Sequence, residues 1–288
     1  MDMKKLIVLS ILFALLLVGC APENTAQIAA TTLPVYEFTV ALCEDTDITV
    51  SRLVTENVSC LHDYSVQVNQ MRAVESAEAV VINGASLEAF LEDVLAGAAC
   101  VIDASAEIEL DCGHHHESNE HHHEHDPHIW LSPEKAKEMC RNIAGRLSSL
   151  YPQYADTFSN NLVALLAKLD ALQAYGEQEL GNLSCRSLIT FHDGFAYFAE
   201  SFDLHILKAV EEESGSEASA KELIELIGLV EDNHLPAIFT ETNGSTAAAE
   251  TIAKETSVKI YSLDMAMAGS SYFDAMYHNI DTVKEALG

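Results

Sequence analysis

Basic side chains are scarce in this chain. Fifteen Lys and Arg stand against 45 Asp and Glu, a formal net charge of −30. A nucleic-acid partner is excluded on that ground, because phosphate recognition needs a face of Lys and Arg. The acidic balance fits a cationic ligand or partner, and it also favours solubility. No two cysteines are spaced as C-x-x-C, which argues against a cysteine zinc cage. No repeat of 20–50 residues is evident, so a solenoid is excluded. No apolar run reaches the roughly 20 residues needed to span a bilayer. What the chain does have is a 49% share of hydrophobic residues over 288 positions, enough for a substantial core in one or two domains.

The N-terminal stretch "MDMKKLIVLSILFALLLVGC" has a basic start at Lys4 and Lys5 and an apolar run from Leu6 to Val18. This is the pattern of a signal peptide. Its end, "LVGC", resembles a bacterial lipoprotein box, which implies cleavage after Gly19 and lipidation of Cys20. The expectation is therefore a signal peptide over 1–19, a tether over 20–27 and an extracytoplasmic protein anchored to the cell membrane through Cys20. Six further cysteines, Cys43, Cys60, Cys100, Cys112, Cys140 and Cys185, permit disulfides in an exported chain, without a pairing that the sequence can choose.

Beyond the tether, strand-like and helix-like segments alternate. "IAATTLPVYEF" reads as a strand ending in a turn at Pro34, and "DITVSRLV" as a second strand. "VNQMRAVESAE" has helical spacing, "AVVING" is a short buried strand, and "SLEAFLEDVLAG" reads as a helix capped by Ser86 and stopped at Gly97. "ACVIDAS" is a further strand. From Ser132-Pro133 to about Gly181 only helix is found, with a break near Pro152. Alternation resumes from "RSLITF" to the C-terminus. The pattern predicts an α/β protein: two α/β lobes with mainly parallel sheets, at 28–132 and 182–288, around a helical linker at 133–181.

Eight of the 13 histidines crowd into "HHHESNEHHHEHDPH", residues 114–128. His121-His122-His123-Glu124-His125 contains H-x-x-E-H, an inverted zinc-peptidase pattern, but that chemistry needs a helix and this tract is charge-dense and lacks helical character. Other histidines stand where an open α/β sheet builds its sites, at the carboxyl ends of strands. His62 follows the second strand, His128 precedes the linker helix, His192 follows "SLITF", and Asp264 follows "VKIYSL". Three imidazoles and a carboxylate make a four-coordinate zinc set. His205, His234 and His278 read as structural or surface residues.

Four segments, "LHDYSVQ", "DPHIWLSP", "TFHDGFAYFAESF" and "IYSLDMAMAG", resemble the zinc and manganese cluster of metal-binding solute-binding proteins of bacterial ABC transporters, and the likeness covers about 28–286. The resemblance implies two lobes joined by one long rigid helix near 153–181. It implies His62, His128 and His192 as metal ligands, Asp264 in the fourth position, and Glu241 as a carboxylate beside the site. "LDMAMAG" departs from the proline and glycine that commonly follow the acid in this family. Three nitrogens favour zinc over harder manganese. The run His114, His115, His116, His121, His122, His123 and His125 resembles the histidine-rich loop of zinc members, here 113–127, an accessory that binds metal weakly. The implied function is capture of Zn2+ and its delivery to an ABC permease and ATPase by a monomer that is not an enzyme. The rivals are a manganese or iron binder of the same fold, a zinc-buffering adhesin and, last, a zinc hydrolase.

Overall fold

In the computed structural model, residues 26–56, 61, 64–110, 125–210 and 218–288 are described. Each lobe is built on a four-stranded sheet. The first contains β1 (Ile28–Ala30), β2 (Val50–Arg52), β3 (Ala79–Ile82) and β4 (Val101–Asp103), in the order β2-β1-β3-β4. The second contains β5 (Ser187–Thr190), β6 (His205–Ala209), β7 (Ala237–Glu241) and β8 (Lys259–Leu263), in the order β6-β5-β7-β8. Every pairing is parallel, so the second half repeats the strand order of the first. Central strands such as "IAA" and "AVVI" are apolar throughout, as parallel strands covered on both faces must be.

Between β1 and β2 lies α1 (Leu33–Leu42), where the sequence pattern pointed to a turn. Pro34 falls in the first helical turn, where no backbone N–H is required, and therefore starts the helix. Leu33, Val35, Phe38 and Leu42 then fall on its buried side. The helix expected from Ser86 is also different. Gly84, Ala85 and Ser86 all have positive φ, +84°, +51° and +66°, and the residue before the first helical turn is Glu88 in place of Ser86. A 3-10 turn at Ala89–Leu91 leads into the short α3 (Glu92–Leu95). Helix α2 (Val68–Ser76) lies where its spacing put it.

The linker is two helices. Ser132 accepts from the Lys135 amide at 3.4 Å and Pro133 opens α4 (Pro133–Leu150), whose buried stripe is Ala136, Met139, Cys140, Ile143 and Leu147. A 3-10 turn at Pro152–Tyr154 breaks the run. Then α5 (Ala155–Leu180) continues for 26 residues, about 39 Å at 1.5 Å per residue. It buries Phe158, Leu165, Leu169, Leu172 and Leu180 along one side and packs on α1, α4 and the C-terminal helix. The second lobe adds α6 (Ala196–Ser201), α7 (Ala220–Asp232), α8 (Ala247–Thr256) and α9 (Tyr272–Leu287). Its end is tied down by Ser184 and Cys185 amides donating to the Leu287 carbonyl. One hydrophobic cluster runs from Ile28 through Trp130 and Phe158 to Leu287 and belongs to both lobes. Cys43, Cys100, Cys140 and Cys185 are free thiols, and burial pushes Cys43 up to about 12. Cys20, Cys60 and Cys112 lie outside the described residues. Among the described residues no helix is long and apolar enough to cross a membrane.

Candidate metal centre

The second sheet presents the ends of β5, β7 and β8 toward the segment that enters α4. His128 is 6% exposed and opens the 3-10 turn Ile129–Leu131, whose three side chains are fully buried. Its Nδ1 lies 2.7 Å from Asp126 Oδ1, and its backbone N–H donates to the same oxygen at 2.9 Å. One carboxylate thus fixes both the main chain and the ring. Burial opposes the Asp126 charge, but the charge of His128 and its hydrogen bonds outweigh that and hold the carboxyl below its usual range.

His192 sits two residues beyond β5. Its Nδ1 is 3.3 Å from Glu241 Oε2, on the last residue of β7. Its Nε2 faces the Nε2 of His128 at 3.5 Å, and the rings meet edge to face with centroids 5.3 Å apart. With each Nδ1 directed at a carboxylate, both Nε2 atoms are turned to one point. Gly194 makes this approach possible. A Cβ there would come within 2.7 Å of His192 Cδ2, 3.0 Å of His128 Cε1 and 2.6 Å of Met265 Cε.

Burial, and then the charge of Asp264, push Glu241 up to about 8. Two carboxylates and two imidazoles packed this closely disfavour further negative charge and favour a cation. Asp264 follows β8, and its backbone is pinned on both sides by Asn279, amide to Oδ1 and Nδ2 to carbonyl, each at 2.7 Å. Its Oδ1 accepts from the Ala266 amide at 2.7 Å, closing its own turn. Trp130 Nε1 donates to the Met265 carbonyl at 2.7 Å, and the Tyr272 hydroxyl donates to the Trp130 carbonyl at 2.8 Å. Arg52, from the end of β2, donates to the Gly269 carbonyl at 3.1 Å.

The structure therefore brings His128, His192 and Glu241 together, with Asp264 close enough to act on Glu241 electrostatically. Among the described residues no group of three or more His, Cys, Asp or Glu side chains is placed to hold a metal. His62 lies outside the described residues, as do His114, His115, His116, His121, His122 and His123. His125 is half-buried, with an Nδ1 that has no hydrogen-bond partner among the described residues. His205 is exposed, His234 occupies a left-handed turn at φ +51°, and His278 lies 3.5 Å from Thr282 within α9. Sequence reasoning passed over Asp126. The signal was present: an acid two residues before a ligand-type histidine in "DPH" can reach that residue's own amide and ring.

Two parallel-sheet lobes, a long helix joining them and two imidazoles facing each other, one beyond β5 and one before the linker helix, are the architecture of a metal-binding solute-binding protein. The chain belongs to the family described as ZnuA, zinc-uptake complex component A, periplasmic, whose pattern matches residues 28–286. It is 30% identical over 314 aligned residues to the zinc-binding lipoprotein AdcA of Streptococcus pneumoniae serotype 4, an alignment taking in 98% of this chain and 61% of that protein. The chain spans about three fifths of the length of these AdcA relatives. The crystal structure of ZnuA is similar, with a TM-score of 0.80 and 30% identity over 91% of this chain and all of that one. The Zn(II)-bound ZnuA-like domain of Streptococcus pneumoniae AdcA has a TM-score of 0.77 and 28% identity, covering 92% of this chain and 99% of that domain.

Proposed function

We propose that this protein captures Zn2+ outside the cytoplasm and delivers it to an ABC-type importer, consisting of a membrane permease and its ATPase subunit. The observation that carries the reading is the 3.5 Å between the Nε2 atoms of His128 and His192. Two imidazole nitrogens bound to one tetrahedral zinc at 2.0–2.1 Å stand about 3.3–3.4 Å apart. One relative supports the metal: AdcA is named a zinc-binding lipoprotein, and its ZnuA-like domain is known with Zn(II) bound.

In this reading His62 and His128 come from the first lobe, residues 28–132, and His192 and Asp264 from the second, residues 182–288, across the linker 133–181. Asp126 and Glu241 orient the rings of His128 and His192 through their Nδ1 atoms. The role is coordination and handover, with no bond made or broken in a substrate. The loop 113–127 gathers zinc weakly beside this site. After removal of residues 1–19, lipidated Cys20 holds the protein, a monomer, at the membrane surface.

The test is a competition titration of the mature protein against a zinc chelator. One tight equivalent is expected, lost in His62→Ala, and weakening as pH falls because protons compete for the imidazoles. A tight site unchanged in His62→Ala, His128→Ala and His192→Ala would overturn the reading. For the anchor, Cys20→Ala should release soluble protein or block processing at that site, and unchanged membrane retention of a processed Cys20→Ala protein would count against it.

A further inference from the structure

Beside the paired imidazoles lies a second polar cluster, and none of its members reaches them directly. The Glu88 carboxylate is 4% exposed and accepts three hydrogen bonds. Thr31 Oγ1, from the end of β1, donates to Oε1 at 2.6 Å. The Asn83 amide donates to the same oxygen at 2.7 Å, and the Gly84 amide donates to Oε2 at 3.0 Å. The two amides come from the turn leaving β3. This is why the chain doubles back through three positive-φ residues in the place where a helix was expected. Gly84 is required here: at φ +84° a Cβ would run into Asp103 and Ser105.

The Asn83 side chain, 0% exposed, extends the hold outward. Its Nδ2 donates to the Pro127 carbonyl at 3.0 Å and to the Gly84 carbonyl at 3.3 Å. Its Oδ1 has no hydrogen-bond partner among the described residues, an arrangement that costs energy and that packing alone does not call for. Pro127 is joined by one peptide to His128. A further hold on this stretch comes from the second lobe, where the Tyr197 hydroxyl donates to the Asp126 carbonyl at 3.3 Å. The segment is thus held from both lobes, by Asn83 beyond β3 of the first and by Tyr197 on α6 of the second.

We propose that Asn83 and Glu88 are positioning residues for the zinc ligand His128: Glu88 fixes the Asn83–Gly84 turn, and the Asn83 amide transfers that fixed point to the Pro127 carbonyl. This rests on the reading of His128 as a zinc ligand. It makes the first sheet part of the metal site without contributing an atom that touches metal from β3.

The experiment is a double-mutant cycle read by zinc competition, supported by the ligand-field absorption of the Co2+-loaded protein. Asn83→Ala should weaken zinc binding by about ten-fold, the low end for groups that orient a metal ligand. It should also shift the Co2+ absorption bands. In a His128→Ala background the same substitution should have no further effect on zinc, because the ring it positions is gone. In a His192→Ala background it should weaken binding by less than in the wild type, because the shared site is already broken there. Glu88→Gln keeps the side-chain shape but replaces one acceptor with a donor, and it should reproduce both signatures, so the question is decided even if Asn83→Ala fails to fold. Equal losses in the wild-type and His128→Ala backgrounds, or unchanged zinc affinity and Co2+ bands in folded variants, would overturn the proposal. An unaffected His128→Ala single variant would instead overturn the assignment of the site itself.

Discussion

The indole N–H of Trp130 donates to the carbonyl of Met265 at 2.7 Å and joins two segments 135 residues apart in the chain. Both segments border the candidate metal centre, since Trp130 lies two residues beyond His128 and Met265 directly follows Asp264. Trp130→Phe retains much of the ring but removes the donor, leaving a buried carbonyl without its partner. The metal-free protein should lose about 1–3 kcal/mol, seen as a lower urea midpoint. An unchanged midpoint would mean that the carbonyl finds another donor.

The pairing of His128 with His192 makes them equivalent in energy if one ion lies between their Nε2 atoms. His128→Ala and His192→Ala should each weaken zinc binding by at least about ten-fold. The double variant should lose much less than the product of the two, because either truncation already breaks the shared site. Chelator competition measures all three. Multiplicative losses would place the two rings on separate ions.

Asp126 offers a finer test. Asp126→Asn keeps an oxygen for the His128 amide but removes the negative charge beside Nδ1, which lies 2.7 Å away. A loss of about 10–100-fold in zinc affinity is expected, with the fold intact by circular dichroism. Affinity equal to wild type would show that the ring is oriented by packing against Trp130 alone.

Burial, opposed by bonds from Thr31, Asn83 and Gly84, pushes Glu88 up to about 7. A carboxyl with its folded pKa above the unfolded value near 4.5 binds its proton more tightly in the folded state. Its stabilising effect is full below pH 4.5 and is lost as pH rises through 7. The wild type should therefore lose on the order of 3 kcal/mol across that window from this group, and Glu88→Gln should be flatter by that amount. Urea denaturation of the metal-free proteins between pH 4 and 8 makes the comparison. Parallel curves would show that the carboxylate is ionised throughout.

Deleting residues 113–124 should abolish weak zinc equivalents and leave one tight site, because ligands without a scaffold must surrender conformational freedom on binding. Calorimetry on both forms in one buffer reads the difference. Loss of the tight site from a folded deletion variant would make the histidine run the site itself.

Most of the frame was legible because its signals are local. Ser132-Pro133 announces a helix start, Pro152 a break, and "AVVI" or "AIFTE" a buried parallel strand, each from a few neighbouring residues. Two elements were misread where distant groups decide. Pro34 looks like a terminator until a helix begins one residue before it. Ser86 looks like a cap until the Glu88 carboxylate draws the preceding amides back on themselves. At the centre, His192 and Asp264 were legible as polar residues after strands and His128 as one before a helix, whereas Glu241 came only from the family resemblance. Asp126 and Asn83 were not legible, because their importance lies in which atom of which neighbour they reach.

The single cluster running from Ile28 to Leu287 has a consequence for how the chain acquires its structure. Two sheets of identical strand order would be expected to fold independently, each as its own cooperative unit. Here Tyr272, Met276, Ile280 and Leu287 from the final helix complete an interior begun by Ile28, Val35 and Phe38. Contacts that distant in sequence are slow to form. The N-terminal half therefore stays unfinished until the sixteen residues of the final helix dock. The molecule should then melt in one transition, with calorimetric and van't Hoff enthalpies in agreement despite its two lobes.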